Sequence, residues 1–119
     1  MLAPHGTAER REARVAFGLP DNVFLAVSTG RFSRDKNQVA LVEVLATIPD
    51  LHLALAGVGD EQGTLLATAE RLGVAERLHL VGEVPTDRIF DFLAAGDLFV
   101  FASRTETFGL SAAEAAMAG

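Results

Sequence analysis

Four short apolar runs, each followed by a helical pattern, constrain this chain more than any other feature. The runs are residues 23–28 (Val-Phe-Leu-Ala-Val-Ser), 51–56 (Leu-His-Leu-Ala-Leu-Ala), 77–81 (Arg-Leu-His-Leu-Val) and 97–102 (Asp-Leu-Phe-Val-Phe-Ala). Their near-continuous apolar character reads as strands covered on both faces. Residues 7–18 form a helical pattern with Thr7 as N-cap and Gly18 as its stop, and residues 37–47 form a second, halted by Pro49. A third spans 60–72, capped by Asp60 and stopped by Gly73, and Thr86 caps a short helix over 86–95. A last helix is predicted over 109–118.

This alternation predicts an α/β fold: a Rossmann-like parallel sheet with helices on both faces and right-handed crossovers. The simplest strand order is 3-2-1-4, with the switch point between the first and fourth strands. Such sheets bind ligands at the carboxyl ends of the strands beside that switch. The loops over 28–37 and 103–109 meet there.

Composition narrows the field. With 119 residues, 50% hydrophobic and 22% charged, the chain suits one small globular domain. No repeat, linker or low-complexity segment divides it. The net charge of -6 argues against a general nucleic-acid binder, so an anionic ligand would be held by local charge. Cysteine is absent, which excludes disulfides and thiolate metal sites. No apolar run reaches the ~20 residues of a membrane helix, and the first residues lack the apolar core of a secretory signal. A cytoplasmic location is the expectation. The chain stops at Gly119, a helix-stop residue, with nothing to cover the fourth strand, so it reads as the front part of a longer domain.

The richest chemistry lies in Glu106-Thr-Phe-Gly-Leu-Ser-Ala-Ala-Glu114, two carboxylates around a helix start. Gly109 lets a ligand approach the backbone, and the helix start offers free N–H groups and a positive dipole end. Glu106 can point back over that ligand. Glu114, a turn further on, can accept hydrogen bonds from vicinal hydroxyls of a sugar. The plainer reading is one dipole-favoured glutamate and one solvated one. The position at the switch point, with Phe-Gly-Leu between the two, favours the functional reading.

Gly30-Arg31-Phe32-Ser33-Arg34-Asp35-Lys36-Asn37 follows the first strand. Arg31 and Lys36 are candidate anion-binding groups there, Arg by a bidentate grip and Lys as a point charge. Arg34 reads as solvated. Gly57-Val58-Gly59-Asp60-Glu61-Gln62-Gly63 looks like a phosphate loop but is not G-x-G-x-x-G and follows the second strand, so a tight turn accounts for it. Gly82-Glu83-Val84-Pro85-Thr86 is either a capped turn or a backbone edge for a flat base, and spacing does not choose between them. His5, His52 and His79 lack metal-ligand spacing. His52 and His79 sit inside strands and read as structural.

Together these segments resemble the carboxy-terminal domain of retaining GT-B glycosyltransferases, the large group 1 (family 4-like) set. The resemblance runs through Gly30-Arg31 with Lys36, Gly57-Val58-Gly59-Asp60, Gly82-Glu83-Val84-Pro85, Ala95-Gly96-Asp97, and Glu106 to Glu114 with the Ala-Ala-Met-Ala-Gly119 that follows. It covers nearly the whole chain, and its last part is the family's E-x7-E signature. It implies an incomplete GT-B half-domain over 1–119 that binds a nucleoside-diphosphate sugar. Arg31 and Lys36 would hold the diphosphate and stabilise the leaving nucleotide. Glu106 would contact the transferred sugar. Gly30, Phe108, Gly109 and Leu110 would bring backbone close to phosphate and sugar. Val84 would line the base pocket and Glu114 would hold the ribose. No metal or cofactor is implied, the nucleotide sugar being a substrate. The partner implied is an amino-terminal acceptor domain, and any membrane association would be indirect, through a peripheral full enzyme. Thr107 and Asn37 stand where many members carry Gly.

Four other readings compete. A nicotinamide-binding domain needs G-x-G-x-x-G after the first strand, which Ser28-Thr29-Gly30-Arg31-Phe32 lacks. A receiver domain needs acidic residues where Ser28 and Gly82 stand. A sugar-nucleotide epimerase of the same layout and a non-catalytic nucleotide-binding remnant remain as alternatives. In isolation the chain is expected to bind nucleotide sugar weakly and to transfer nothing.

Overall fold

A computed structural model describes residues 7–102. Helix α1 (Thr7–Ala16) leads into β1 (Phe24–Thr29), followed by α2 (Gln38–Leu45), β2 (Leu51–Ala56), α3 (Gln62–Leu72), β3 (Leu78–Gly82), α4 (Ile89–Leu93) and β4 (Leu98–Phe99). The strands form one parallel sheet in the order β3-β2-β1-β4, as the alternation predicts. Among the described residues, no helix is long and apolar enough to cross a membrane.

Each face of the sheet buries its own layer. Ala26, Leu53 and Leu55 point toward α2 and α3, where they meet Val42, Leu45, Leu65 and Ala69. Leu25, Val27, Ala54 and Ala56 face the other way, with Leu19, Phe92 and Ala95. Adjacent residues of one strand thus enter opposite cores, which is why the strands read as continuous apolar runs. Each fully buried Leu, Val or Phe contributes about 1.5–3 kcal/mol.

The helix stops follow the sequence more closely than the helix starts. After α1, the Leu19 N–H donates to Arg14 C=O at 2.8 Å and the Gly18 N–H to Val15 C=O at 3.2 Å. After α3, Val74 and Gly73 repeat the pattern on Ala69 and Glu70 at 2.8 and 3.1 Å. Both are Schellman ends built on the predicted glycines. The predicted caps differ. Helix α1 already includes Thr7. Asp60 does not cap α3: Glu61 occupies the cap position and makes no side-chain cap bond. The Glu61 N–H is taken instead by Phe32 C=O at 3.1 Å and the Gln62 N–H by Gly59 C=O at 3.2 Å. Backbone carbonyls thus do the work expected of the aspartate. Thr86 is likewise no cap, because it opens a 3-10 turn, Thr86–Arg88, that starts behind Pro85.

Strand β4 is shorter than its predicted run over 97–102, pairing only Leu98 with Ala26 and Phe99 with Val27. Hydrogen bonds extend it at both ends, from Asp97 N–H to Leu25 C=O at 2.7 Å and from Val100 N–H to Val27 C=O at 3.0 Å. Its footing is a partly buried ion pair. Arg14, 3% exposed, donates to Ala95 C=O at 2.8 Å, Val23 C=O at 3.0 Å and the Asp97 carboxylate at 2.9 Å. Asp97 also accepts the Leu25 N–H at 2.8 Å, and Arg10 reaches its other oxygen at 3.2 Å. Helix α1 is thereby tied to the starts of β1 and β4.

Candidate functional site

The carboxyl ends of β1 and β2 are locked together by backbone. The ladder continues past both strands, with Gly30 N–H on Ala56 C=O and Phe32 N–H on Val58 C=O, each at 3.0 Å. The Gly57 N–H then reaches the C=O of Gly82, the last residue of β3, at 2.8 Å. This closeness demands glycine. At Gly57, φ is +147° and a Cβ would lie 2.1 Å from Gly30 O; at Gly59, a Cβ would lie 2.3 Å from Phe32 O. The Gly57-Val58-Gly59 segment is therefore an interlock between loops, in line with the turn reading.

Phe32 fixes how the first loop presents its charges. Its ring is 1% exposed within the α2/α3 core, while its neighbour Arg31 is exposed. A 3-10 turn, Arg34–Lys36, follows, and Asn37 then takes φ +54° before α2 begins. Asn tolerates this left-handed geometry better than other residues with a Cβ, which suits a position where many family members carry Gly. Within the turn, the Ser33 hydroxyl donates to Asp35 at 2.7 Å and holds that carboxyl below its ordinary value.

Two of the clefts at this end of the sheet hold site residues expected from the sequence. The first, about 210 Å³, lies across the ends of β1, β2 and β3 and is lined by Gly30, Arg31, Gly57, Val58, Glu83, Val84 and Ile89, among others. The second, about 220 Å³, lies at the switch point between β1 and β4 and is lined by Ser28, Lys36, Gln38, Leu41, Phe99, Phe101 and Ala102. Thr29, the last residue of β1, lines both.

The clefts differ in construction. The first is framed by glycine backbone, with Arg31 and Glu83 as its charged members. The second has buried polar side chains in its wall: Ser28 is 3% exposed and Gln38 5%. The Gln38 amide donates through Nε2 to Arg31 C=O at 2.8 Å, tying α2 to the loop. Its Oε1 has no hydrogen-bond partner among the described residues.

Of the residues expected from sequence, Gly30, Arg31 and Val84 share the first cleft, and Lys36 lies in the second. Glu106, Phe108, Gly109, Leu110, Glu114 and the predicted helix over 109–118 lie outside the described residues. Sequence reasoning did not single out Thr29, Glu83 or Gln38. Gln38 follows Lys36-Asn37 at a helix start, where glutamine is ordinarily solvated, so no local signal marks it.

His52 and His79 are paired in a way their spacing does not show. They lie on neighbouring strands, stacked at 5.2 Å, with Nδ1 of His52 3.0 Å from Nε2 of His79. Burial holds both imidazoles below their ordinary value, with nearby Arg77 and Arg14 adding to the effect at His52 and His52 adding to it at His79.

Comparison with known proteins adds to this geometry. The family model described as glycosyl transferases group 1 matches residues 9–119. The D-inositol 3-phosphate glycosyltransferase of Mycolicibacterium gilvum is 31% identical over 99% of this chain, which spans 28% of that relative's length. Among solved structures, HepE of Anabaena in complex with UDP and glucose superposes with a TM-score of 0.71 at 28% identity, over 83% of this chain and 28% of that one. Sucrose-phosphate synthase of Thermosynechococcus elongatus gives 0.72 at 27% identity, over 85% of this chain and 27% of that one.

Proposed function

The chain belongs to the glycosyl transferases group 1, and we propose that it supplies the donor-binding part of such an enzyme, taking a nucleoside-diphosphate sugar for retaining transfer to an acceptor held by another domain. The observation that carries this is the pair of clefts divided by Thr29, with Gly30, Arg31 and Val84 in one and Lys36 in the other. A nucleoside diphosphate sugar has a flat base at one end, hydroxyls at the other and anionic charge between. A base lies in the first cleft against Val58, Val84 and Ile89, where glycine backbone leaves room for a ring. The diphosphate crosses the Gly30–Arg31 corner toward Lys36. Residues 1–119 are part of this donor unit.

Roles follow from the family resemblance, and charge supports those of the two cations. As the glycosidic bond breaks, negative charge builds on the departing diphosphate, and the Arg31 and Lys36 cations stabilise it. Glu106 contacts the transferred sugar. Phe108, Gly109 and Leu110 offer N–H groups to phosphate and sugar, and Glu114 takes the ribose hydroxyls. The UDP in the HepE complex supports a nucleotide at a site of this shape.

Calorimetric titration with UDP, GDP and ADP tests the reading. At least one binds the 119-residue chain. Lys36→Ala and Glu114→Ala each remove a charge-assisted hydrogen bond and weaken that nucleotide by about 1.5–3 kcal/mol. Binding of none of the three, or equal affinity in all variants, contradicts the proposal.

A further inference from the structure

Gln38 holds a hydrogen-bond acceptor that the fold leaves unused. The side chain is 5% exposed, and its Nε2 donates to Arg31 C=O at 2.8 Å. A carbonyl only accepts, so this bond fixes the amide orientation and turns Oε1 the other way. Oε1 is buried without a partner among the described residues, and Gln38 lines both the cleft of Lys36, Ser28 and Thr29 and a smaller one, about 110 Å³, beside Ser33, Arg34 and Glu61; only the first adjoins the proposed diphosphate path. A buried polar atom left unpaired costs more than an ordinary hydrogen bond returns, so such atoms mark places where a partner arrives from outside.

The chemistry of that partner is constrained. Oε1 needs a hydrogen-bond donor, and the oxygens of an ionised diphosphate donate nothing. Lys36, in the same cleft, needs an anion. A cleft of about 220 Å³ is below the ~300–1,000 Å³ of pockets that enclose larger ligands, so it admits one small group. The group that satisfies both residues carries negative charge on one side and a hydroxyl on the other, as the sugar-1-phosphate end of a nucleotide sugar does.

Resting on the donor-site reading above, we infer that Gln38 is a sugar-recognition residue: its Oε1 accepts a hydrogen bond from a hydroxyl of the donor's glycosyl unit while its Nε2 steadies the Arg31 loop. Gln38 thereby distinguishes the sugar-bearing donor from the plain diphosphate, which Arg31 and Lys36 hold alike in both. It also couples sugar to phosphate, because one amide touches the loop with one end and the sugar with the other.

The test compares UDP with UDP-glucose, and GDP with GDP-mannose, on the 119-residue chain by titration calorimetry. Gln38→Met removes both amide groups. Gln38→Lys keeps a donor for the Arg31 carbonyl and removes the acceptor; its added charge acts on the diphosphate of both ligands, so the sugar contact is read from their ratio. Both variants are expected to lower the ratio of sugar-nucleotide to plain-diphosphate affinity by roughly three- to tenfold, the worth of one hydrogen bond. Among singly deoxygenated UDP-glucose analogues, one should lose affinity on the wild-type chain and lose no more on Gln38→Lys. An unchanged ratio in Gln38→Lys overturns the inference and leaves Gln38 as a tether of the loop alone. Failure of all four ligands on the wild-type chain overturns the donor-site reading and this inference with it.

Discussion

The two clefts stand side by side, divided by one residue, yet they are built in opposite ways. The Arg31 cleft is made by backbone: three strand ends are laced together by main-chain bonds, and glycines let the chains meet. The Lys36 cleft is made by side chains, with Ser28 and Gln38 buried in its wall and β4 as its far side. Backbone construction gives a rigid cradle that accepts a ring by shape. Side-chain construction gives a place where individual hydroxyls and charges are read, and where one residue changes the reading. The two suit the two ends of the proposed ligand.

Breaking the backbone cleft should cost the most. Gly57→Ala puts a Cβ where the Gly30 carbonyl oxygen already lies, 2.1 Å away, in a backbone region that side chains rarely adopt. A loss of about 4 kcal/mol in chemical denaturation is expected, together with loss of the Arg31 cleft. A mild effect would mean the loops are less tightly laced than the geometry says.

The side-chain cleft depends on the footing of β4, and Arg14→Met removes it. About 3 kcal/mol should be lost, since among the described residues Asp97 keeps only Arg10 as a cationic partner. Hydrogen exchange sharpens the comparison. The Val100 N–H, bonded to Val27, should exchange faster, while the Phe32 N–H, bonded to Val58, should keep more of its protection. Equal loss at both amides would merge the two clefts into one cooperative unit.

A smaller effect is expected at Asn37, which carries the loop from Lys36 into α2 at φ +54°. Asn37→Ala should cost about 1 kcal/mol and Asn37→Gly less. The smallest effect concerns pH and lies at neither cleft. His52 and His79 have imidazoles held below the ordinary value of 6.5 by burial. The unfolded chain therefore binds protons there before the folded one does, so stability is intact above about 6.5 and falls as pH drops below it. Replacing both with Gln should flatten that part of a denaturation-against-pH profile.

The layout of the sheet was legible because it rests on periodicity. Runs such as Leu51–Ala56 feed two cores at once, and no other arrangement buries both sides of a strand. The helix stops at Gly18 and Gly73 were legible because a left-handed residue there is local chemistry. The caps at Asp60 and Thr86 were not, because the distant Phe32 carbonyl with the adjacent Gly59 carbonyl, and a 3-10 turn, took their place. The site divides in the same way. Gly30, Arg31, Lys36 and Val84 sit in ordered motifs at strand ends. Gln38 matters only because it is buried with one amide end unpaired, which depends on what the fold sets against it.

The measurement closest to the central claim is an amide chemical-shift map of the isotope-labelled chain titrated first with UDP and then with UDP-glucose. UDP is expected to move Gly30, Arg31, Lys36 and Val84 together, with Thr29 between them, and the sugar to add a change at Gln38. Shifts confined to one cleft, or clustered away from the carboxyl ends of β1 to β4, would contradict a single donor site spanning both.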